Sequence, residues 1–363
     1  MKLAILGTRG IPNHYGGFEQ FAEYLSLGLV KKGHDVWVYN SSLHPYKREE
    51  WNGVNLVKCK DWEDKLGTAG QFFYDLNCIL DSRKRGFDII LQLGYTSSSI
   101  WGFLFPKKSI IVTNMDGLEW KRSKYNRLTK SFLKKAERWA IKSSDHLVSD
   151  SIGIQTYLEE TLGAKSSFIA YGSNLFQNPD NNTLNDFSVQ PFDYYLIIAR
   201  MEPENNIELI LDAYVKSNFS KDFLVVGKTN NSFGKYLVSK YSNTPKIRFL
   251  GGIYDIDLLN NLRFYCKLYF HGHSVGGTNP SLLEAMASSA LIVAHDNPFN
   301  KAILNDDAFY FNDIQSCEFI FNLKVIAQER AHFIEENRKK ILNEYNWTKI
   351  IATYETLFTT LVN

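Results

Sequence analysis

The stretch Phe270–Met286, FHGHSVGGTNPSLLEAM, gathers two histidines, three glycines, two serines, a proline and a glutamate within seventeen residues. Two chemistries compete for it. GHSVG, Gly272 to Gly276, has the Gly-x-Ser-x-Gly form of a nucleophile elbow, with Asp306 and His332 following Ser274 in triad order. GGTNPSLLE has instead the composition of a loop and helix start that hold an anion. Gly276 and Gly277 let backbone approach a ligand, and the amides of residues 279–283 would present the positive end of a helix to a diphosphate.

Position decides between them. An elbow needs its helix to begin directly after the serine, so that helix amides complete an oxyanion hole. Pro280 biases Asn279 away from helical geometry, and the two glycines weaken any earlier turn, so the helix should start with Asn279 as N-cap and Pro280 as its first residue. Ser274 then sits in a loop, five positions before the cap. Glu284 falls a little over one turn into the helix, where a carboxylate suits two hydrogen bonds from a ribose diol. Helix-end contacts are worth only about 0.3–1 kcal/mol each when exposed, so a fixed cation is expected beside them. Arg200, directly after YYLIIA, is the first candidate for gripping phosphate, and Lys228, after FLVVG, the second. His271 and His273 alternate on a strand and share a face, but no third ligand accompanies them at motif spacing. His273 is therefore read as a donor-side contact and no metal is expected.

The elements that position these residues alternate regularly. KLAIL, a Gly-rich loop and the helical pattern of FEQFAEYLSLGLVKKG, then HDVWVY, form a β-loop-α-β unit, and the alternation continues through FDIILQLGY, SIIVTNMD and HLVSD. After the Asn-rich LFQNPDNNTLNDFSVQPF, a second series runs from YYLIIAR to ALIVAHD. A chain of 363 residues exceeds the roughly 250–300 at which single cores stop growing, so two α/β domains are expected. The formal charge of +2 gives no general reason for nucleic acid binding, and Cys59, Cys78, Cys266 and Cys317 lack the spacing of a zinc site or disulfide framework. MKLAILGTRG starts a strand without the marks of a signal peptide, and no run approaches ~18 apolar residues. These features point to the cytoplasm.

Taken together, the motifs resemble the retaining nucleotide-sugar glycosyltransferases of family 4, which have the GT-B fold. The likeness rests on Gly16-Gly17, KKGHDVWVY, Ala199-Arg200 before a helix, LLEAMA and WTKIIATYETLF, and spans nearly the whole chain. It is closer to a bacterial surface-polysaccharide branch that includes rhamnosyltransferases, through GTRGIPNHYGGFE, MDGLEWKRSKY, AYGSN, ARMEPENN and HGHSVGGTNPSLLEAM. The resemblance implies two Rossmann-like domains facing a central cleft: an acceptor domain over 1–173, a linker over 174–191, a nucleotide-sugar domain over 192–340, and a helix over 341–363 that returns to the first domain.

The same resemblance implies a donor site of Gly16, Gly17, Arg200, Lys228, His273, Gly276, Gly277, Thr278, Asn279, Pro280, Ser281 and Glu284, and an acceptor side of Tyr15, Asp116 and Glu119. Asp116 and Arg200 take the catalytic roles. A nucleoside-diphosphate sugar is a substrate, so no cofactor is required; the acceptor is a glycan or lipid-linked hydroxyl. The chain departs from the family in three places. Gly276 stands where the first acid of a Glu-x7-Glu pair is usual, Asn205 where a phosphate-binding Lys is usual, and Asp116-Gly117 where His-Gly is common. One fewer acid at the donor favours a deoxyhexose such as rhamnose. The alternatives are a nucleotide-sugar-binding subunit without transfer activity and a serine hydrolase using Ser274. Finally, KRSKYNRLTKSFLKKAERWAIK carries nine Lys or Arg against one acid, interleaved with Tyr125, Leu128, Phe132, Leu133, Trp139 and Ile141, a pattern suited to an anionic membrane face.

Overall fold

Short runs of apolar and β-branched residues, buried on both faces, pair into two mostly parallel sheets covered by helices. The computed structural model describes residues 1–14, 16–122, 125–217, 220–324 and 327–363. Two compact units divide the chain, residues 1–171 with 347–363, and residues 172–346.

The first unit contains β1 (Lys2–Leu6), β2 (Asp35–Ser41), β3 (Glu50–Trp51), β4 (Val54–Cys59), β5 (Ile89–Leu93), β6 (Ile110–Asn114), β7 (His146–Ser149) and β8 (Ser167–Phe168), in the order β3-β4-β2-β1-β5-β6-β7-β8. Among the described residues only the β3–β4 pairing is antiparallel. The second unit contains β9 (Tyr194–Ile198), β10 (Asp222–Val226), β11 (Ile247–Gly251), β12 (Leu268–His271), β13 (Ile292–His295) and β14 (Phe309–Phe311), all parallel in the order β11-β10-β9-β12-β13-β14. Strand order reverses between β1 and β5 in one sheet and between β9 and β12 in the other. Open α/β sheets bind ligands at such switch points, outside the carboxyl ends of the strands. Below the second switch point lies a core of Tyr195, Tyr214, Phe223, Phe270 and Phe321, in which the Phe270 and Phe321 rings stack at 4.9 Å.

The helix Trp347–Val362 completes the first unit. It packs on the helix Gly17–Lys31, where a Cβ on Gly28 would stand 2.3 Å from Ile351 Cδ1, so only glycine allows the approach. Trp347 stacks on Tyr24 at 4.6 Å, and Tyr354 meets Phe21 edge-on at 5.4 Å. The segment 174–191, read from its composition as a linker, folds as part of the second unit. Asn181–Phe187 forms a 3-10 helix that buries Leu184, and the backbone N–H of Asp180 donates to Asn261 Oδ1. The helix Ala327–Asn343 likewise continues past residue 340 and stays with the second unit, because Asn337 and Lys340 bond to Asp307. All four cysteines are buried and free.

Candidate functional site

In the second unit the two strands at the switch point deliver the expected residues. β9 leads into Ala199-Arg200, and β12 into Gly272-His273-Ser274. The two loops are fastened together residue by residue. Glu204 O accepts from both Ser274 N and Ser274 Oγ, at 3.0 and 2.8 Å; Asn205 Oδ1 meets His273 Nδ1 at 2.8 Å; Asn206 Nδ2 donates to Gly272 O at 2.8 Å. Gly272 is required here, since a Cβ would lie 2.0 Å from Asn205 O. Gly227, before Lys228, is required for the same reason against Ala199 O.

The elbow reading of Ser274 fails on this geometry. Its hydroxyl donates to a backbone carbonyl, while His332 lies exposed beside Asp307 and Asp306 is also exposed. The helix starts as its sequence predicts, with Asn279 capping and Pro280 first, over Pro280–Ala287. One expectation changes. Asn279 Oδ1 accepts from Ser281 N, and Asn279 O from Leu282 N and Leu283 N, so these amides are satisfied within the helix start and do not point at an anion.

Ser281, expected at the donor, turns its hydroxyl inward to Tyr269 Oη at 2.8 Å and Arg263 Nη2 at 3.4 Å. Arg263 is the residue that sequence reasoning missed. Its guanidinium is 1% exposed, pairs with Glu284 Oε2 at 2.5 Å, and donates from Nη1 to Asn260 Oδ1 at 2.9 Å. A signal was available: Leu259, Leu262 and Arg263 share one helix face, and an arginine on an apolar face calls for a buried acid. Arg200 extends an exposed side chain from a backbone held at its carbonyl by Glu202 N and Asn205 Nδ2. Lys228 Nζ lies 5.1 Å over the Tyr254 ring. His271 is buried, and desolvation holds its imidazole well below the usual pKa and therefore neutral. Among the described residues no group of His, Cys, Asp or Glu is arranged to hold a metal.

In the first unit, Asp116 follows β6 in a left-handed conformation, φ 48°, with its N–H donating to Asn114 Oδ1 at 3.0 Å. It does not cap the next turn, whose cap position is Leu118. Glu119 pairs with Arg122 at 2.5 Å. Gly16 and Gly17 are the cap and first residue of a helix, not a free loop, and Tyr15 lies outside the described residues. Behind them the buried Glu19 carboxylate accepts from Arg9 N at 2.8 Å and Thr8 Oγ1 at 3.3 Å. Arg9 forks onto Glu63 at 2.9 and 2.7 Å. Asp75, which is buried, accepts from Ser97 Oγ at 2.6 Å, and burial raises its pKa to about 7. Donors and acceptors thus crowd the carboxyl ends of β1 and β5 and pair with one another.

Residues 1–174 match a family described as a domain of unknown function, DUF1972, and residues 187–339 match the family described as glycosyl transferases group 1. An uncharacterized glycosyltransferase of Methanocaldococcus jannaschii is 23% identical over 399 aligned positions, covering 100% of this chain and 99% of the relative. Sucrose-phosphate synthase of Thermosynechococcus elongatus has a similar fold, with a TM-score of 0.83 at 14% identity over 99% of this chain and 98% of that one. HepE of Anabaena, solved in complex with UDP and glucose, gives 0.78 at 15% identity over 99% and 100%. The second unit carries the match to glycosyl transferases group 1, and the chain as a whole has the GT-B fold.

Proposed function

We propose that the protein transfers a sugar, with retention of anomeric configuration, from a nucleoside diphosphate to a hydroxyl of a glycan or lipid-linked acceptor in the cytoplasmic steps of surface-polysaccharide synthesis. The observation that carries this reading is the convergence of Arg200, the Gly272–Ser274 loop and the Glu284 helix around the β9/β12 switch point. Glu284 holds the ribose, Arg200 and Lys228 hold the diphosphate, and the Gly276–Thr278 backbone lies against it. In the reaction the acceptor oxygen bonds to the anomeric carbon as the bond to the diphosphate breaks. The electron pair leaves on the diphosphate, where Arg200 stabilises it, and the hydroxyl proton passes to a leaving phosphate oxygen. Asp116 positions the acceptor hydroxyl.

Gly276 contributes no acid to the donor site, which supports a deoxyhexose, with rhamnose the proposed sugar. The test is nucleotide release from dTDP-rhamnose, UDP-glucose and GDP-mannose, with and without a lipid-linked acceptor. Acceptor-dependent release of dTDP is expected. Efficient use of UDP-glucose with none of dTDP-rhamnose overturns the sugar assignment, and binding without release from any donor favours a non-catalytic subunit.

We also propose peripheral contact with anionic lipid through the helix Arg127–Ser143. Its single acid, Glu137, is buried and accepts from Tyr157 Oη at 2.9 Å, so the charges on the helix's exposed face are all positive. Leu133 turns inward, whereas Leu128 is 83% exposed; Phe103, 78% exposed, follows Gly102, which abuts Ser143 at the helix's far end. No described helix is long and apolar enough to cross a membrane. The protein should co-sediment with phosphatidylglycerol-containing vesicles and not with pure phosphatidylcholine, and replacing Lys134, Lys135 and Arg138 by Gln should abolish the difference. Equal recovery with both vesicles overturns the contact.

A further inference from the structure

We propose that Tyr254 is the positioning residue for Lys228: its ring holds the Lys228 ammonium, with its charge uncancelled, ready for the diphosphate of the donor. The inference rests on the nucleotide-sugar reading of the second unit and adds what presents one of its cations.

Strand pairing sets where the cations leave the sheet. β10 lies between β9 and β11. β9 and β10 pair in parallel up to Ile198 and Val226, and Ala199 N then donates to Val226 O, so Arg200 and Lys228 each stand two residues beyond the last pair, on neighbouring strands. Such strands run about 4.8 Å apart, close enough for two positive groups to repel one another. On the other flank Gly227 N donates to Gly251 O, which brings the loop after β11 beside Lys228. The lysine leans that way, apart from Arg200.

What draws it there is the ring. Lys228 Nζ lies 5.1 Å over Tyr254, within cation–π reach. Both side chains rest on one glycine: a Cβ on Gly252 would stand 3.0 Å from Lys228 Cγ and 3.2 Å from Tyr254 Cε2, so a larger residue would press on the lysine stem and the ring together. The backbone beside the ring is held too, because Asp255 caps the helix Ile256–Tyr265 by accepting from Leu258 N at 3.0 Å. Tyr254 is nevertheless 57% exposed, so core packing does not account for an aromatic residue at this place.

The kind of partner matters. Other lysines of this unit pair with acids: Lys240 with Glu208 and Asp212, Lys301 with Asp296, Lys340 with Asp307. A carboxylate fixes an ammonium and cancels its charge. An aromatic face fixes it through the ring quadrupole and leaves the full charge, with N–H donors to spare for phosphate oxygens. Among the described residues no carboxylate pairs with Lys228 or with Arg200. A lysine side chain has many rotamers to freeze on meeting a phosphate, and the ring has narrowed them beforehand.

The test is calorimetry of a nucleoside diphosphate against its monophosphate, dTDP against dTMP and UDP against UMP, since the ratio of affinities isolates the second phosphate. For the base that binds, Lys228→Ala should lower the ratio about tenfold and Tyr254→Leu about three- to fivefold, with monophosphate affinity within about twofold and the melting temperature of the second unit's transition unchanged. Tyr254→Phe keeps the aromatic face and should stay within about twofold of the unsubstituted ratio. In the Lys228→Ala background Tyr254→Leu should change the ratio no further, because the ring acts through the lysine. An unchanged ratio in Tyr254→Leu overturns the proposal and leaves the nucleotide-sugar reading standing. So does an equal loss of both nucleotides that persists without Lys228, which would place the ring against the base itself. Absence of binding by any nucleotide or nucleotide sugar to the unsubstituted protein overturns both.

Discussion

Glu284→Ala is expected to lower donor affinity by about 100-fold or more and, separately, to destabilise the second unit by about 3–5 kcal/mol. The first effect follows from the proposed charge-assisted hydrogen bonds to the ribose, worth roughly 1.5–3 kcal/mol each. The second has nothing to do with the ligand. Arg263 is 1% exposed and relies on the Glu284 carboxylate, so truncation leaves a buried guanidinium without its counter-charge. A single substitution therefore confounds binding with folding. Glu284→Ala combined with Arg263→Met separates them, because removing both charges abolishes the electrostatic penalty. The pair should recover most of the urea midpoint and none of the donor affinity. Full affinity in a well-folded double variant would show that Glu284 serves Arg263 alone.

Arg200→Ala should reduce kcat by about 10²–10³-fold, the loss typical of removing one donor to developing negative charge. Its effect on stability should be small, since the side chain is exposed and the loop is held through the Arg200 carbonyl by Glu202 and Asn205, contacts that the substitution leaves in place. A loss confined to KM, with kcat unchanged, would make Arg200 a ground-state binder and nothing more. Arg200→Lys keeps the charge without the planar fork and should recover only part of the rate.

Much of this was legible in the chain. Pro280 and Asn279 announced the helix start and thereby ruled against Ser274, and the alternation of strands with helices announced two parallel sheets. What stayed hidden was contact across long separations. Nothing local ties Asn205 to His273, 68 positions on, or Arg263 to Glu284, 21 positions on. The amides of residues 281–283 were misassigned because a good N-cap satisfies the very donors that an anion would use. The Asn-rich segment 174–191 was read as a linker from its composition, although Leu184 anchors it to the second unit.

The helix Trp347–Val362 belongs to the unit that begins at Met1, yet it follows the whole of the second unit in the sequence. During synthesis the surface around Phe21, Tyr24 and Gly28 must therefore wait uncovered until some three hundred further residues have been added, about 15–60 s at 5–20 residues per second. The second unit is contiguous over 172–346, so its own chain is complete before that helix is added. Biogenesis thus runs against the order of the gene, and the unit translated first is the last to mature.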